Sequence, residues 1–100
     1  MKVVILGGGE SGVGAAILAK TKGLEVFLSD KGEIKENYKQ ILLENDIEFE
    51  EKNHNEERIL AADWVIKSPG VPKKAEMVQK IKAKGIRLSS EIEFGAEFTN

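Results

Sequence analysis

The chain contains no cysteine, which excludes disulfides and thiolate metal sites. It has a single histidine, His54, with no neighbouring set of ligands, so no metal is expected and His54 reads as a solvated loop residue. Aromatic residues make up only 6% of the chain, and the two prolines, Pro69 and Pro72, both fall in one short stretch. Long hydrophobic runs are missing too. Lys2 is followed by the brief apolar run VVIL and then by glycines, too little for a signal-peptide core or a membrane span. Positive charge is not in excess: 15 Lys and Arg face 17 Asp and Glu, for a net charge of −2. Nucleic acid and anionic membranes both select clustered cations, so neither is expected as a partner. The default expectation is a cytoplasmic protein.

What is present is an ordinary globular composition, 41% hydrophobic and 32% charged, in 100 residues. A chain of that length makes one small domain, residues 1–100, and buries roughly 60–70% of its unfolded surface. Short apolar runs alternate with longer amphipathic ones. Residues 3–6 (VVIL) are continuous and partly β-branched, as in a strand buried on both faces. Helical spacing follows at Val13, Ala16, Ile17, Lys20 and Thr21, with a stop at Gly23. Further strands are predicted at 25–30, 47–50, 64–67 and 86–89. Helices are predicted at 34–45, with Ile34, Tyr38, Ile41 and Leu42 on one side, and at 74–84, with Met77, Val78 and Ile81. A brief helical turn at 58–62 and a closing helix at 91–98 complete the series. Strands alternating with helices over short loops give right-handed crossovers and a parallel sheet. The predicted fold is α/β: a Rossmann-like, three-layer domain with a five-stranded parallel sheet and helices on both faces.

Gly7, Gly9 and Gly12 satisfy GxGxxG directly after a predicted strand and at a predicted helix start. Gly7 permits the tight turn, Gly9 lets a phosphate approach the backbone, and Gly12 lets the helix pack close on the sheet. Unpaired amides at the helix start and the helix dipole then make an anion site suited to a pyrophosphate. Asp30 ends the second strand about twenty positions on, where such a site sets an acid against a ribose or base. Glu10, read as lying inside the turn, is the awkward residue. A carboxylate about 4 Å from a phosphate charge would cost on the order of 4 kcal/mol at an effective dielectric near 20. The helix terminus returns at most about 2 kcal/mol. Glu10 must therefore point away, contact a sugar or base, or pair with a cation such as Lys31. A second turn, KSPGVP at 67–72, lies at the carboxyl edge of the sheet, where open α/β sheets bind ligands, so Ser68 and the amides near Gly70 could meet the same nucleotide. The charged stretch EFEEKNHNEER, residues 48–58, reads as a solvated surface without a role.

With GGGESG, LSD, SPGV and SSEIEF in this order, the chain resembles the N-terminal domain of the Mur ligase family, in its D-glutamate-adding branch. The likeness covers essentially the whole chain, and the SPG turn with the acidic EIEF segment makes it more specific than the glycine loop alone. The resemblance implies that the domain binds the UDP part of UDP-MurNAc-L-alanine. On this footing Gly9, Glu10, Ser11 and Gly12 surround the uridine diphosphate, and Asp30, with Lys31 beside it, contacts the uracil and its neighbourhood. Ser68, Pro69 and Gly70 form the turn that closes over the nucleotide, Gly70 through its backbone. Glu10 stands where some relatives carry an apolar residue against the uracil, and Gly32 where some carry an arginine.

The resemblance also implies what lies elsewhere. Mur ligases bind ATP, with Mg²⁺, through a P-loop GxxGK(S/T)T in a central domain, and no such loop occurs in this sequence. The chain is therefore expected to be a substrate-binding piece with no catalytic residue and no cofactor of its own, inactive alone and ending before the central domain. Residues 91–98 would then lie near the domain junction, with Phe94 and Phe98 either exposed there or facing the core. Two other classes use the same glycine loop. The cofactor domain of a nicotinamide-dependent oxidoreductase would put Asp30 on the ribose 2′-hydroxyl, and a nucleotide-sensing regulatory domain would bind without catalysis. Neither needs SPGV together with EIEF.

Overall fold

A strand covered on both faces must be apolar at every position, as residues 3–6 are. In the computed structural model, which describes residues 1–98, they form most of β1 (Lys2–Leu6). The other strands are β2 (Glu25–Ser29), β3 (Glu48–Glu50), β4 (Trp64–Lys67) and β5 (Arg87–Ser90). They make a five-stranded sheet in the order β3-β2-β1-β4-β5, with every ladder parallel. Val4 of the central strand is flanked by Phe27 on one side and Val65 on the other.

Alternation along each strand sends neighbouring side chains into two separate apolar layers. Val3, Ile5, Leu28 and Ile66 pack with Ala16 and Ala19 of α1 (Glu10–Thr21), Leu42 of α2 (Glu36–Glu44) and, after the last strand, Phe94 of a short closing helix. Val4, Leu6, Phe27 and Val65 pack on the opposite face with Ile59 of α3 (Glu56–Leu60) and Val78 and Ile81 of α4 (Glu76–Lys84). The alanines bring α1 close to the sheet, and the sheet is covered on both sides as the sequence pattern requires.

Several boundaries shift for identifiable reasons. Helix α1 begins at Glu10, so Glu10 is its first helical residue rather than part of the preceding turn. Ile34 precedes α2 and is buried, its Cγ1 only 2.8 Å from where a Cβ on Gly8 would lie. Helix α3 starts earlier than its apolar spacing suggests because the Asn55 side chain caps it, accepting from the Arg58 amide at 3.1 Å. The closing helix, α5 (Glu91–Ala96), is fixed by a capping box in which the Ser90 hydroxyl and the Glu93 carboxylate serve each other's backbone amides. Phe94 faces the core: it is fully buried, edge-on to Trp64 at 4.8 Å and to the half-buried Phe98 at 5.1 Å between ring centroids.

Most of the charged stretch 48–58 is exposed as expected, but two of its carboxylates, Glu50 and Glu51, are half-buried and have structural partners. The Glu50 carboxylate accepts from the Ser29 hydroxyl at 2.8 Å and from the Asn55 amide at 2.7 Å. Glu51 accepts from the Ile34 amide at 2.9 Å and pairs with Lys39 at 2.6 Å, which lowers the Glu51 carboxyl below its ordinary range. These carboxylates tie the ends of β2 and β3 to the start of α2.

Truncating Phe94 to alanine opens a cavity between α5 and Trp64 and should cost about 3–5 kcal/mol in urea unfolding. Ile92→Ala in the same helix, at a side chain 86% exposed, should change stability by less than about 0.5 kcal/mol.

Candidate functional site

The strand order sets where a ligand can enter. From β1 the chain adds β2 and β3 on one side, then returns to lay β4 and β5 on the other. The loops that follow β1 and β4 therefore diverge and leave a crevice at the carboxyl ends of these strands, the switch point at which open α/β sheets bind ligands. Both sequence-predicted segments lie there: the glycine loop joins β1 to α1, and the SPG turn follows β4.

The glycine loop is held by backbone contacts that side chains would block. Gly7 extends the pairing of β1 with β2 through its amide to the Ser29 carbonyl at 2.9 Å, then turns with φ +105°, a left-handed value that favours glycine. A Cβ on Gly12 would lie 1.9 Å from the Gly7 carbonyl oxygen. Gly12 thus admits its own loop, not the sheet, as the spacing alone suggests. A Cβ on Gly9 would meet nothing within 4 Å, so the loop is open to an incoming group at that point. Among the described residues, no protein acceptor takes the amides of Gly9, Glu10, Ser11 or Gly12. They are the bare donors of the first turn of α1, at the positive end of its dipole.

Asp30 sits at the end of β2 and clamps this loop. Its Oδ2 accepts from the Gly8 amide at 2.8 Å, and its Oδ1 accepts from the Gly32 amide at 2.8 Å, closing a turn of its own. Charge-assisted bonds of this kind are worth roughly 1.5–3 kcal/mol each. Each oxygen keeps a lone pair for a further donor. Lys31, next in the chain, is exposed. Glu10 is exposed as well, and among the described residues it makes no ion pair with Lys31. Its carboxylate stands in water at the helix start, where solvent weakens any repulsion toward a bound anion.

Opposite the glycine loop, Ser68 is buried; its amide donates to the Leu6 carbonyl at 3.0 Å and its hydroxyl to the Gly7 carbonyl at 3.4 Å. The Val71 amide returns to the Ser68 carbonyl at 3.0 Å, which closes the turn and leaves Pro69 and Gly70 exposed at its tip. The Lys67 ammonium braces this turn from within, donating to the Val71 carbonyl at 2.7 Å and the Ser68 carbonyl at 3.4 Å. Between the two loops lies a cleft of about 220 Å³ whose lining includes Gly7, Asp30, Lys31, His54, Gly70 and Val71. A second hollow, of about 290 Å³, opens at the other end of the sheet beside Lys2 and Arg58. It has no switch point, and Arg58 there is spent on Glu48 at 2.6 Å and on the Phe27 ring.

Comparison with known sequences decides the family. The chain matches the MurD N-terminal domain over residues 2–77. The chain belongs to that family. It is 58% identical over 98 residues to the UDP-N-acetylmuramoylalanine--D-glutamate ligase of Christiangramia forsetii, covering 98% of this chain and 22% of that protein. It is 54% identical over 99 residues to the enzyme of the same name from Bacteroides thetaiotaomicron, covering 99% of this chain and again 22% of the relative. The chain thus spans about a fifth of the length of these curated relatives. Among solved structures, the murein peptide ligase Mpl of Psychrobacter arcticus superposes with a TM-score of 0.87 at 24% identity, over 99% of this chain and 21% of that one. That likeness is one of fold. Membership of the MurD N-terminal domain family does not favour the oxidoreductase and sensing alternatives.

Two residues of this MurD N-terminal domain enter the site although sequence reasoning passes over them. Lys67 is visible only as the first letter of KSPGVP, and its polar partners are backbone carbonyls that no motif records. His54 is half-buried rather than solvated: its Nδ1 lies 2.6 Å from the Ser29 Oγ, and burial lowers its pKa from the ordinary value despite the opposing pull of Glu50 and Asp30. A lone histidine in a charged run carries no periodicity by which to place it.

The loop geometry predicts opposite outcomes for two single-methyl additions. Gly12→Ala should destabilise the domain by more than about 1 kcal/mol, as expected for overpacking against backbone. Gly9→Ala should stay within about 0.5 kcal/mol of the parent. Thermal unfolding of the pair measures both.

Proposed function

We propose that this chain is the uridine-nucleotide-binding domain of a D-glutamate-adding ligase and that it holds the UDP part of UDP-MurNAc-L-alanine. The observation that carries this reading is the run of amides at Gly9, Glu10, Ser11 and Gly12, without a protein acceptor among the described residues, at the start of the helix that leaves β1 beside the switch point. A diphosphate supplies acceptors for those donors and a charge that the helix terminus favours. Asp30 orients the loop through Gly8 and offers its remaining lone pairs to the nucleoside, while the neighbouring Lys31 supplies a cation. Ser68, Pro69 and Gly70 cover the diphosphate from the β4 side, where the Gly70 amide is also without a protein acceptor among the described residues.

In this reading the chain binds and orients, and the reaction is completed elsewhere in a longer protein, whose central domain is its partner. ATP with Mg²⁺ would supply the activation of the alanyl carboxylate when bound there. Nothing in this chain fits that pair: the P-loop pattern is absent, and the described residues hold no group of three or more carboxylate, imidazole or thiol side chains able to take a metal ion. No chemical step is assigned to it, and the chain alone should be inactive. A nucleotide-sugar substrate places the protein in the cytoplasm; among the described residues no helix is long and apolar enough to cross a membrane.

Calorimetric titration with UDP-MurNAc-L-alanine, UDP and NADH tests the reading. Both uridine compounds should bind and NADH should not, and Asp30→Ala should weaken UDP on the order of tenfold, the cost of one charge-assisted hydrogen bond. Micromolar NADH binding, with both uridine compounds failing at millimolar concentration, would overturn it.

A further inference from the structure

His54 stands where the sheet's carboxyl edge meets the cleft, and its surroundings fix which ring nitrogen carries the proton. Ser29 is fully buried and its hydroxyl has one hydrogen to give. Within reach of Ser29 Oγ are the Glu50 carboxylate at 2.8 Å, the Asn53 carbonyl at 3.2 Å and His54 Nδ1 at 2.6 Å. Carboxylate and carbonyl can only accept, so the serine proton goes to one of them. Nδ1 must then donate to the serine oxygen. A neutral imidazole with its proton on Nδ1 leaves Nε2 as a bare acceptor on the far side of the ring. Among the described residues Nε2 has no hydrogen-bond partner. The ring lines the same cleft as Asp30, Lys31 and Gly70.

We propose that His54 Nε2 accepts a hydrogen bond from the nucleoside bound in this cleft, either from a base imide N–H or from a sugar hydroxyl. This rests on the nucleotide-binding reading above and adds to it a specificity-determining residue that the glycine-loop motif does not contain. Lys31 and the Gly70 amide are the donors this cleft offers a ligand, and its acceptors are Nε2, the remaining lone pairs of Asp30 and the Glu76 carboxylate. Nε2 is the uncharged member of that acceptor set, suited to a neutral ligand edge that donates. Burial holds the imidazole neutral by lowering its pKa, Glu50 and Asp30 raise it, and Lys31 lowers it further. The other charged groups around the ring's side of the cleft are Lys52, Glu56, Glu76 and Lys80.

The test compares UDP with CDP, which lacks the imide N–H, and with 2′-deoxy-UDP and 3′-deoxy-UDP, which each lack one hydroxyl. The native chain should prefer UDP over at least one of these by on the order of tenfold. In His54→Asn, whose amide can still donate to Ser29 but which has nothing at the Nε2 position, that preference should fall below about twofold. His54→Gln, which can set an amide oxygen where Nε2 stood, should keep part of it. Loss against CDP assigns the contact to the base, and loss against a deoxy analogue assigns it to the sugar. Lowering the pH from about 7.5 until it passes below the His54 pKa, which burial sets under the ordinary imidazole value, protonates Nε2 and should erase the same preference in the native chain but not in the Gln variant. The diphosphate is common to all four ligands, so its own titration divides out, and the pH series keeps the test decisive should the Asn variant fail to fold. Binding of UDP with preferences indifferent to both residue 54 and pH overturns the His54 assignment alone, whereas failure of every uridine compound to bind overturns the nucleotide-binding reading itself.

Discussion

The approach of Gly12 to the carbonyl oxygen of Gly7 is the constraint on which the rest of the site depends. A side chain at position 12 would stand 1.9 Å from that oxygen, so the loop can fold back on itself only because the residue has none. Once it does, the first turn of α1 begins immediately at Glu10, and the amides of Gly9, Glu10, Ser11 and Gly12 are left together without acceptors among the described residues. The same compactness puts the Gly8 amide on Asp30 and the Gly7 carbonyl under the Ser68 hydroxyl. Three strand ends are thereby joined through a few glycine backbone atoms, and the bare amides on which the proposed anion site rests follow from that geometry.

The two apolar layers explain why this arrangement stays fixed. β1 is buried on both faces, and the register of β2 and β4 against it is set by side chains that alternate between the layers. A slip of one residue would send Val4 and Leu6 into the wrong layer. The loops at the carboxyl ends therefore inherit positions determined by the core, and the polar contacts among them refine a placement that packing has already made.

The sheet and its helices were legible because hydrophobic periodicity reports burial directly: VVIL, WVIK and the Met77, Val78, Ile81 spacing each correspond to what they pack against. The glycine loop and the SPG turn were legible because backbone conformation restricts residue type there. Helix starts were less so. Asn55 and Ser90 set α3 and α5 through side-chain caps, and a cap looks the same in sequence as any other polar residue. In sequence Glu50, Glu51 and His54 look solvated, because charged stretches usually are. Their partners outside the stretch lie on β2, on α2 and just before it, a dozen or more positions away in the chain, and single-sequence reasoning has no means of pairing them.

Lys67 has a consequence for how the crevice would receive a ligand. Its ammonium is committed to the carbonyls of Ser68 and Val71, so the β4 turn already has its shape before anything arrives. Ordering a loop around a guest removes conformational freedom and weakens association. Here that loss has been taken at folding, and the wall opposite the glycine backbone would meet a guest as a preorganised template.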